Sequence, residues 1–436
     1  MRSFAFILVL FLAFSCGQRE VAQELPYPSL HGQITYFTEK DELYKTLPIY
    51  PEDIVLVGDD LFDRGEWVGF YGTERIKNRG IALEGTECTN YRIVSIAQNK
   101  PAKIFINTGL FDIKNGRSAD STYNAILEIV LNARKSSPQS QLYVAGILPD
   151  RKIENIPGRV DSIVKINSLL NIRAATDTSL SYKYLDLAEV LSDSSGFISP
   201  EYTFNGINLN GKGYEVFAQL LSPYIGYEAI NKANDRQYPG KSGHYLHRMS
   251  IFNSLPNSSG KILMLGNSLN NNVRWEEIFP GTGIINRGIS GDTVEGILLR
   301  LDDIIEENPS KILIMAGINN FINDTTQSVA SVWDSYQKIL IRLKKALPDT
   351  EIFVQSTLPL NPMTKYYQGR NQKVRDLNAI LEENANKYDY TYLDIAELLE
   401  DASLDLNKIN TCDGIHLLPV AYGTWKFVIE EHIFTY

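Results

Sequence analysis

A chain of 436 residues is long enough for two domains, and 44% apolar with 22% charged residues suits packed cores rather than disorder. A formal net charge of −10 with no concentrated basic face excludes nucleic acid as a partner class. Only three cysteines are present, Cys16, Cys88 and Cys412, so neither a disulfide framework nor a Cys-type metal site is expected.

Met1-Arg2 followed by the apolar run Phe4 to Phe14 reads as an export segment, because the run is too short to span a bilayer. Ala13-Phe14-Ser15-Cys16 resembles a relaxed bacterial lipoprotein signal, which would place an acyl anchor on Cys16 as the one membrane attachment. A plain cleaved signal peptide is the competing expectation. Both take the mature protein out of the cytoplasm, to an outer-membrane lipid anchor in the cell envelope in the first case and to secretion in the second.

A first domain is expected over 27–226. Its apolar run Ile54 to Gly58 ends in Asp59-Asp60, and Lys103 to Asn107 leads into Gly109-Leu110-Phe111. Asp59, Asp60 and Asp112 together raise the question of a hard cation, although acids at strand ends serve more often as turn residues or caps. A polar stretch with Pro239-Gly240 and Gly243 as breakers marks a linker at 227–243. His244 and His247 follow it without a partner at ligand spacing and read as surface or packing residues.

The second domain, 244–436, alternates apolar strands near 261–266, 283–286, 311–316, 351–355 and 391–394 with helices near 294–307, 328–346, 371–387 and 419–431. Such βα alternation with continuous apolar strands predicts a parallel sheet covered on both faces, an α/β/α sandwich. Val332, Tyr336, Ile339, Leu340 and Leu343 recur with helical period, which places Trp333 on a core-facing helix. In the loop Leu358 to Gly369, Tyr366 and Tyr367 either wall a cleft or cover the sheet edge.

The first domain repeats the second at one spacing: 268 less 60 and 416 less 208 are both 208. Gly58/Gly266, Trp67/Trp275, Gly80/Gly288 and Gly109/Gly317 are kept in both copies. Asp60, Phe111, Asn205 and Asn208 stand where the second copy has Ser268, Asn319, Asp413 and His416. The fold is therefore expected twice, and the chemistry once.

Gly266-Asn267-Ser268, Gly288, Gly317-Ile318-Asn319 and Asp413-Gly414-Ile415-His416 together resemble the four blocks of the SGNH (GDSL-type) hydrolase family, with Asn267 where that family usually carries Asp. The resemblance implies two tandem flavodoxin-like α/β domains with parallel sheets, the first catalytically silent. Within the second it implies Ser268 as nucleophile, His416 as base, Asp413 as its orienting acid, and an oxyanion hole of Ser268, Gly288 and Asn319. A serine hydroxyl needs a base within reach, the base needs an orienting acid, and the developing oxyanion needs donors. No metal or organic cofactor is implied. The expected substrate is an acylated glycan or another small ester, with removal of O-acetyl groups foremost. A lysophospholipase or short-chain lipase is the alternative enzyme, and a glycan-binding surface protein the alternative from another class.

Overall fold

The computed structural model describes residues 34–230, 238–241, 243–256 and 259–434. The export segment with Cys16 and part of the expected linker lie outside the described residues.

Ten strands form two parallel sheets. β1 (Ile54–Gly58), β2 (Ile76–Gly80), β3 (Lys103–Asn107), β4 (Gln141–Ala145) and β5 (Tyr182–Leu185) run in the order β2-β1-β3-β4-β5. β6 (Ile262–Gly266), β7 (Ile284–Gly288), β8 (Lys311–Met315), β9 (Glu351–Gln355) and β10 (Thr391–Leu393) run β7-β6-β8-β9-β10, the same order. Both sheets carry helices on both faces, as doubly covered parallel strands require. The central strands β1 and β6 are wholly buried, which is why their sequences are unbroken apolar runs.

Two expected helices are broken. The segment 294–307 is two helices, Val294–Leu299 and Leu301–Glu307, meeting at Arg300. The Arg300 guanidinium turns inward to Asp292 at 3.0 Å and to the carbonyl oxygens of Arg287 and Gly266, all buried. The segment 371–387 likewise divides into Arg370–Glu383 and Ala385–Tyr388 at Asn384. Trp333 packs edge-on against Tyr388 at the rim of the core, as its helical register predicts.

The cores do not respect a boundary at 243/244. Helix His244–Ser254, expected in the second domain, packs on Gly211–Ile225 of the first, and Tyr245, Met249 and Phe252 join the first core. Its apolar positions at i, i+4 and i+7 face that seat. Gly211 makes the approach close enough, since a Cβ there would lie 2.1 Å from the carbonyl oxygen of Ser250. In exchange, the first helix, Ile34–Thr46, packs on the last, Pro419–Ile433, and its Phe37, Leu43 and Tyr44 join the second core. Buried charges also cross between the halves. Arg79 grips Glu277 with two bonds of 2.7 and 2.8 Å, Arg248 pairs with Glu66, and Arg274 approaches Asp63, which also pairs with Lys40 of its own half.

Candidate active site

β6 stops at Gly266, and Asn267 caps the following turn by accepting the N–H of Leu269 at 3.0 Å. Asn at 267 therefore does the turn-shaping that an acid there would do. Ser268 opens the short helix Ser268–Asn271, beyond the carboxyl end of a central strand.

The other chemical residues arrive from the far end of the chain. The loop before the last helix turns at Gly414 (φ +86°), with Asp413 Oδ1 accepting the N–H groups of Ile415 and His416 at 2.8 Å each. The loop Leu358 to Gly369 braces it from beneath: Asn361 N–H donates to the Gly414 carbonyl, and Met363 and Thr364 pack under that glycine. Tyr367 donates to Asp405, so this loop supports the histidine loop from the sheet edge. Asp413 Oδ2 lies 2.7 Å from His416 Nδ1, and His416 Nε2 lies 3.1 Å from Ser268 Oγ. With the proton of Nδ1 facing the carboxylate, Nε2 is left as the acceptor of the serine hydroxyl. Tyr422, on the last helix, donates to the Leu269 carbonyl and ties that helix to the serine turn.

Burial opposes charge on both partners, and their contact overrides it. Asp413 is held below the usual carboxylate range by the His416 imidazole and its backbone donors. His416 is pushed above the ordinary imidazole value by the Asp413 hydrogen bond and charge, and to a lesser degree by Glu39. Glu39 was not visible to sequence reasoning. It sits on the first helix, accepts from the Cys412 thiol at 3.2 Å, and lies with Asp413 and His416 inside a 4.8 Å cluster. Burial raises its carboxyl to about 7. The cluster has metal-ligating residue types, but both nitrogens of His416 are already engaged by Asp413 and Ser268.

One expected oxyanion donor is corrected. The N–H of Gly288 donates to Asn286 Oδ1 at 2.8 Å, as Gly80 does to Asn78 Oδ1 at 2.9 Å. This glycine is fixed for architecture, because a Cβ there would lie 2.4 Å from the Asn271 nitrogen. Three residues on, Gly291 adopts φ +79° with open space around it, and its N–H has no acceptor among the described residues. The first half shows where that N–H points. Leu83, at the equivalent position with φ +63°, donates its N–H to Asp60 Oδ2 at 2.9 Å, and Asp60 stands in the serine's place. By that correspondence Gly291, rather than Gly288, is the candidate donor toward Ser268. Asn319 reaches the same turn, donating one amide hydrogen to the Asp292 carbonyl at 2.9 Å and keeping the other.

In the first half, the acids at the strand ends are structural. Asp60 is paired with Arg64 at 2.9 Å. Asp112 accepts the N–H of Thr86 and pairs with Arg117, in the place of Asn320, which accepts the N–H of Val294. Asp59 is buried, and burial together with the neighbouring Asp60 raises it well above the carboxylate range. His247 is a packing residue, bonded to the Gly243 carbonyl and edge-on to Phe204.

Residues 264–423 match the GDSL-like lipase/acylhydrolase family. The second half therefore carries a GDSL-like lipase/acylhydrolase domain. The chain is also similar to curated proteins. N-acylneuraminate cytidylyltransferase of Escherichia coli O18:K1:H7 (strain RS218 / NMEC) is 26% identical over 218 residues, 49% of this chain and 48% of that protein. Platelet-activating factor acetylhydrolase IB subunit alpha2 of Homo sapiens is 31% identical over 105 residues, 24% of this chain and 44% of that protein. The chain thus spans about half the length of the curated relatives it matches. Among solved structures, a GDSL-like lipase of Bacteroides thetaiotaomicron VPI-5482 has 23% identity and a TM-score of 0.39, covering 43% of this chain and 96% of that one. The aryl esterase of M. smegmatis has 16% identity and a TM-score of 0.35, covering 40% and 98%.

Proposed function

We propose that the protein is an exported serine ester hydrolase that removes O-acetyl groups from glycans through an acyl-serine, with its first half catalytically silent. The observation that carries this is the unbroken line Asp413–His416–Ser268 at 2.7 and 3.1 Å. A binding protein gains nothing from a base held in this tautomer against a hydroxyl.

In the proposed reaction, Ser268 Oγ attacks the ester carbonyl while His416 Nε2 takes its proton. The carbonyl oxygen becomes an oxyanion facing the N–H groups of Ser268 and Gly291 and the remaining amide hydrogen of Asn319. The sugar alcohol leaves with the proton from His416. Water, deprotonated by His416, then attacks the acyl-serine and releases acetate and free Ser268. Asp413 stays ionised throughout and stabilises the imidazolium. The similarity to an acetylhydrolase supports a short acyl group, and the export segment supports a substrate outside the cytoplasm. The first half reads as a duplicated copy that keeps the sheet and has lost the chemistry. An acyl anchor at Cys16 belongs to the same proposal, and mass spectrometry of the mature amino terminus tests it.

Turnover of p-nitrophenyl acetate, with an organophosphonate probe mapped to Ser268, tests the central claim. A probe found on another serine of active protein overturns it. A preference for long acyl chains across an ester series replaces the glycan substrate with a lipid.

A further inference from the structure

Between the two halves lies a cavity of about 220 Å³ that the esterase chemistry does not use. Ser290, directly before Gly291, lines one side, and Leu83, the first half's counterpart of Gly291, lines another. The cavity therefore adjoins the turn that faces the nucleophile.

Its wall is built from charge. Lys40, Arg64, Arg248 and Arg274 line it against Asp63 and Glu66, and Arg64 is additionally held by Asp60. Asp63 is buried, yet Lys40 and Arg274 hold it down at about 2, and Arg248 holds Glu66 below its ordinary value. Four basic side chains thus stand against Asp63, Glu66 and the adjoining Asp60, one more cationic group than acidic. His244, also in the wall, is kept neutral, its value pushed down to about 3 by burial and the neighbouring arginines.

The arginines are only partly used. Arg248 and Arg274 are 4% and 5% exposed, and each keeps a buried Nε–H with no partner among the described residues. Asn271 Oδ1 and His244 Nε2, in the same wall, are also without a partner there. Buried polar atoms are normally satisfied, and each lost partner is costly. These four atoms belong to residues of the wall but are enclosed behind it, and it is the clustering of three arginines and a lysine around the cavity that suits a small oxyanion. Ala82 and Leu83 are the aliphatic residues of the wall, too small a group to seat a long acyl chain.

We propose that this cavity holds the carboxylate of an acidic sugar in the acylated glycan, which makes the enzyme selective for O-acyl groups on uronate-type residues; this rests on Ser268 acting as the esterase nucleophile. The first half contributes Lys40, Arg64, Asp63 and Glu66 to the site, so the silent copy holds substrate for the active one. A cavity of this size suits one sugar ring or a smaller group rather than an extended ligand.

Binding is measured on the full chain carrying Ser268→Ala, by titration calorimetry with free glucuronate, with glucose as the neutral control and glycerophosphate as the phosphate source. Saturable glucuronate binding with none by glucose is expected. Arg274→Lys, which keeps the charge and loses the fork, should weaken that binding about tenfold, the worth of one charge-assisted hydrogen bond. With Ser268 intact, an acetylated glucuronoside should be hydrolysed with kcat/KM at least tenfold above the matching acetylated glucoside. Equal binding of glucuronate and glucose, or of neither, overturns the site without any variant being needed. Binding of glycerophosphate but not glucuronate overturns it in favour of a phospholipid. Failure of the intact protein to hydrolyse any ester removes the esterase reading, while the calorimetry still judges the cavity.

Discussion

The two halves of this chain share a strand order and differ at the points where bonds would be made and broken. At the serine position, the first half has a carboxylate that Arg64 and the Leu83 N–H hold in place. The second has a hydroxyl with an imidazole on one side and an unoccupied N–H on the other. Even the histidine loops superimpose in their bonding: Asn205 Oδ1 accepts the N–H groups of Ile207 and Asn208 just as Asp413 Oδ1 accepts those of Ile415 and His416. The backbone of the site therefore persists without its chemistry. An asparagine satisfies the turn as well as an aspartate does, and only a charged acid can support an imidazolium.

The largest expected effect comes from removing the nucleophile. Ser268→Ala should lower p-nitrophenyl acetate turnover by on the order of 10⁴-fold or more, and adding Asp60→Ser should restore nothing, because catalytic groups act as a unit. Recovery in that double variant would show that the first half is not silent. Asn319→Ala should cost about 10²–10³-fold in kcat with little change in KM, as one oxyanion donor does. A change confined to KM would make Asn319 a substrate contact instead. Arg79→Ala leaves Glu277 charged and buried and should destabilise the full chain by about 3–5 kcal/mol in urea unfolding. A small loss would mean that the Arg79–Glu277 pair adds little to the joint between the halves.

The smallest effect concerns pH. His416 must be neutral to accept the serine proton, so activity should fall as pH drops through its raised value. Glu39→Gln removes a nearby negative charge that helps raise it, and the acidic limb of kcat/KM should then move to lower pH. A limb that does not move, or moves upward, would separate Glu39 from the site.

The strands and the residues of the Ser268–His416–Asp413 line were legible in the sequence because each is a local pattern: an apolar run ending in a turn, or a short loop before a helix. The oxyanion glycine was misread between two glycines three residues apart. The comparison of halves held the clue, since Gly80 and Gly288 persist in both while Gly291 faces Leu83. A residue kept in a copy without chemistry is kept for the fold. Glu39 left no such trace, because its neighbours lie 373 and more residues away and nothing in its own helix marks it. The exchange of leading helices was hidden for the same reason: an amphipathic stripe states that a helix will be buried, not against which sheet.

That exchange bears on how the molecule is made. Helix Ile34–Thr46 leaves the ribosome well before its seat, Pro419–Ile433. At typical elongation rates the interval is about 20–80 s, during which Phe37, Leu43 and Tyr44 have no final place to go. Until the two ends of the polypeptide meet, Glu39 is away from His416 and Lys40 is away from the cavity wall. The half that carries Ser268 is therefore completed only after residues 419–433 have been made and Ile34–Thr46 can dock on them.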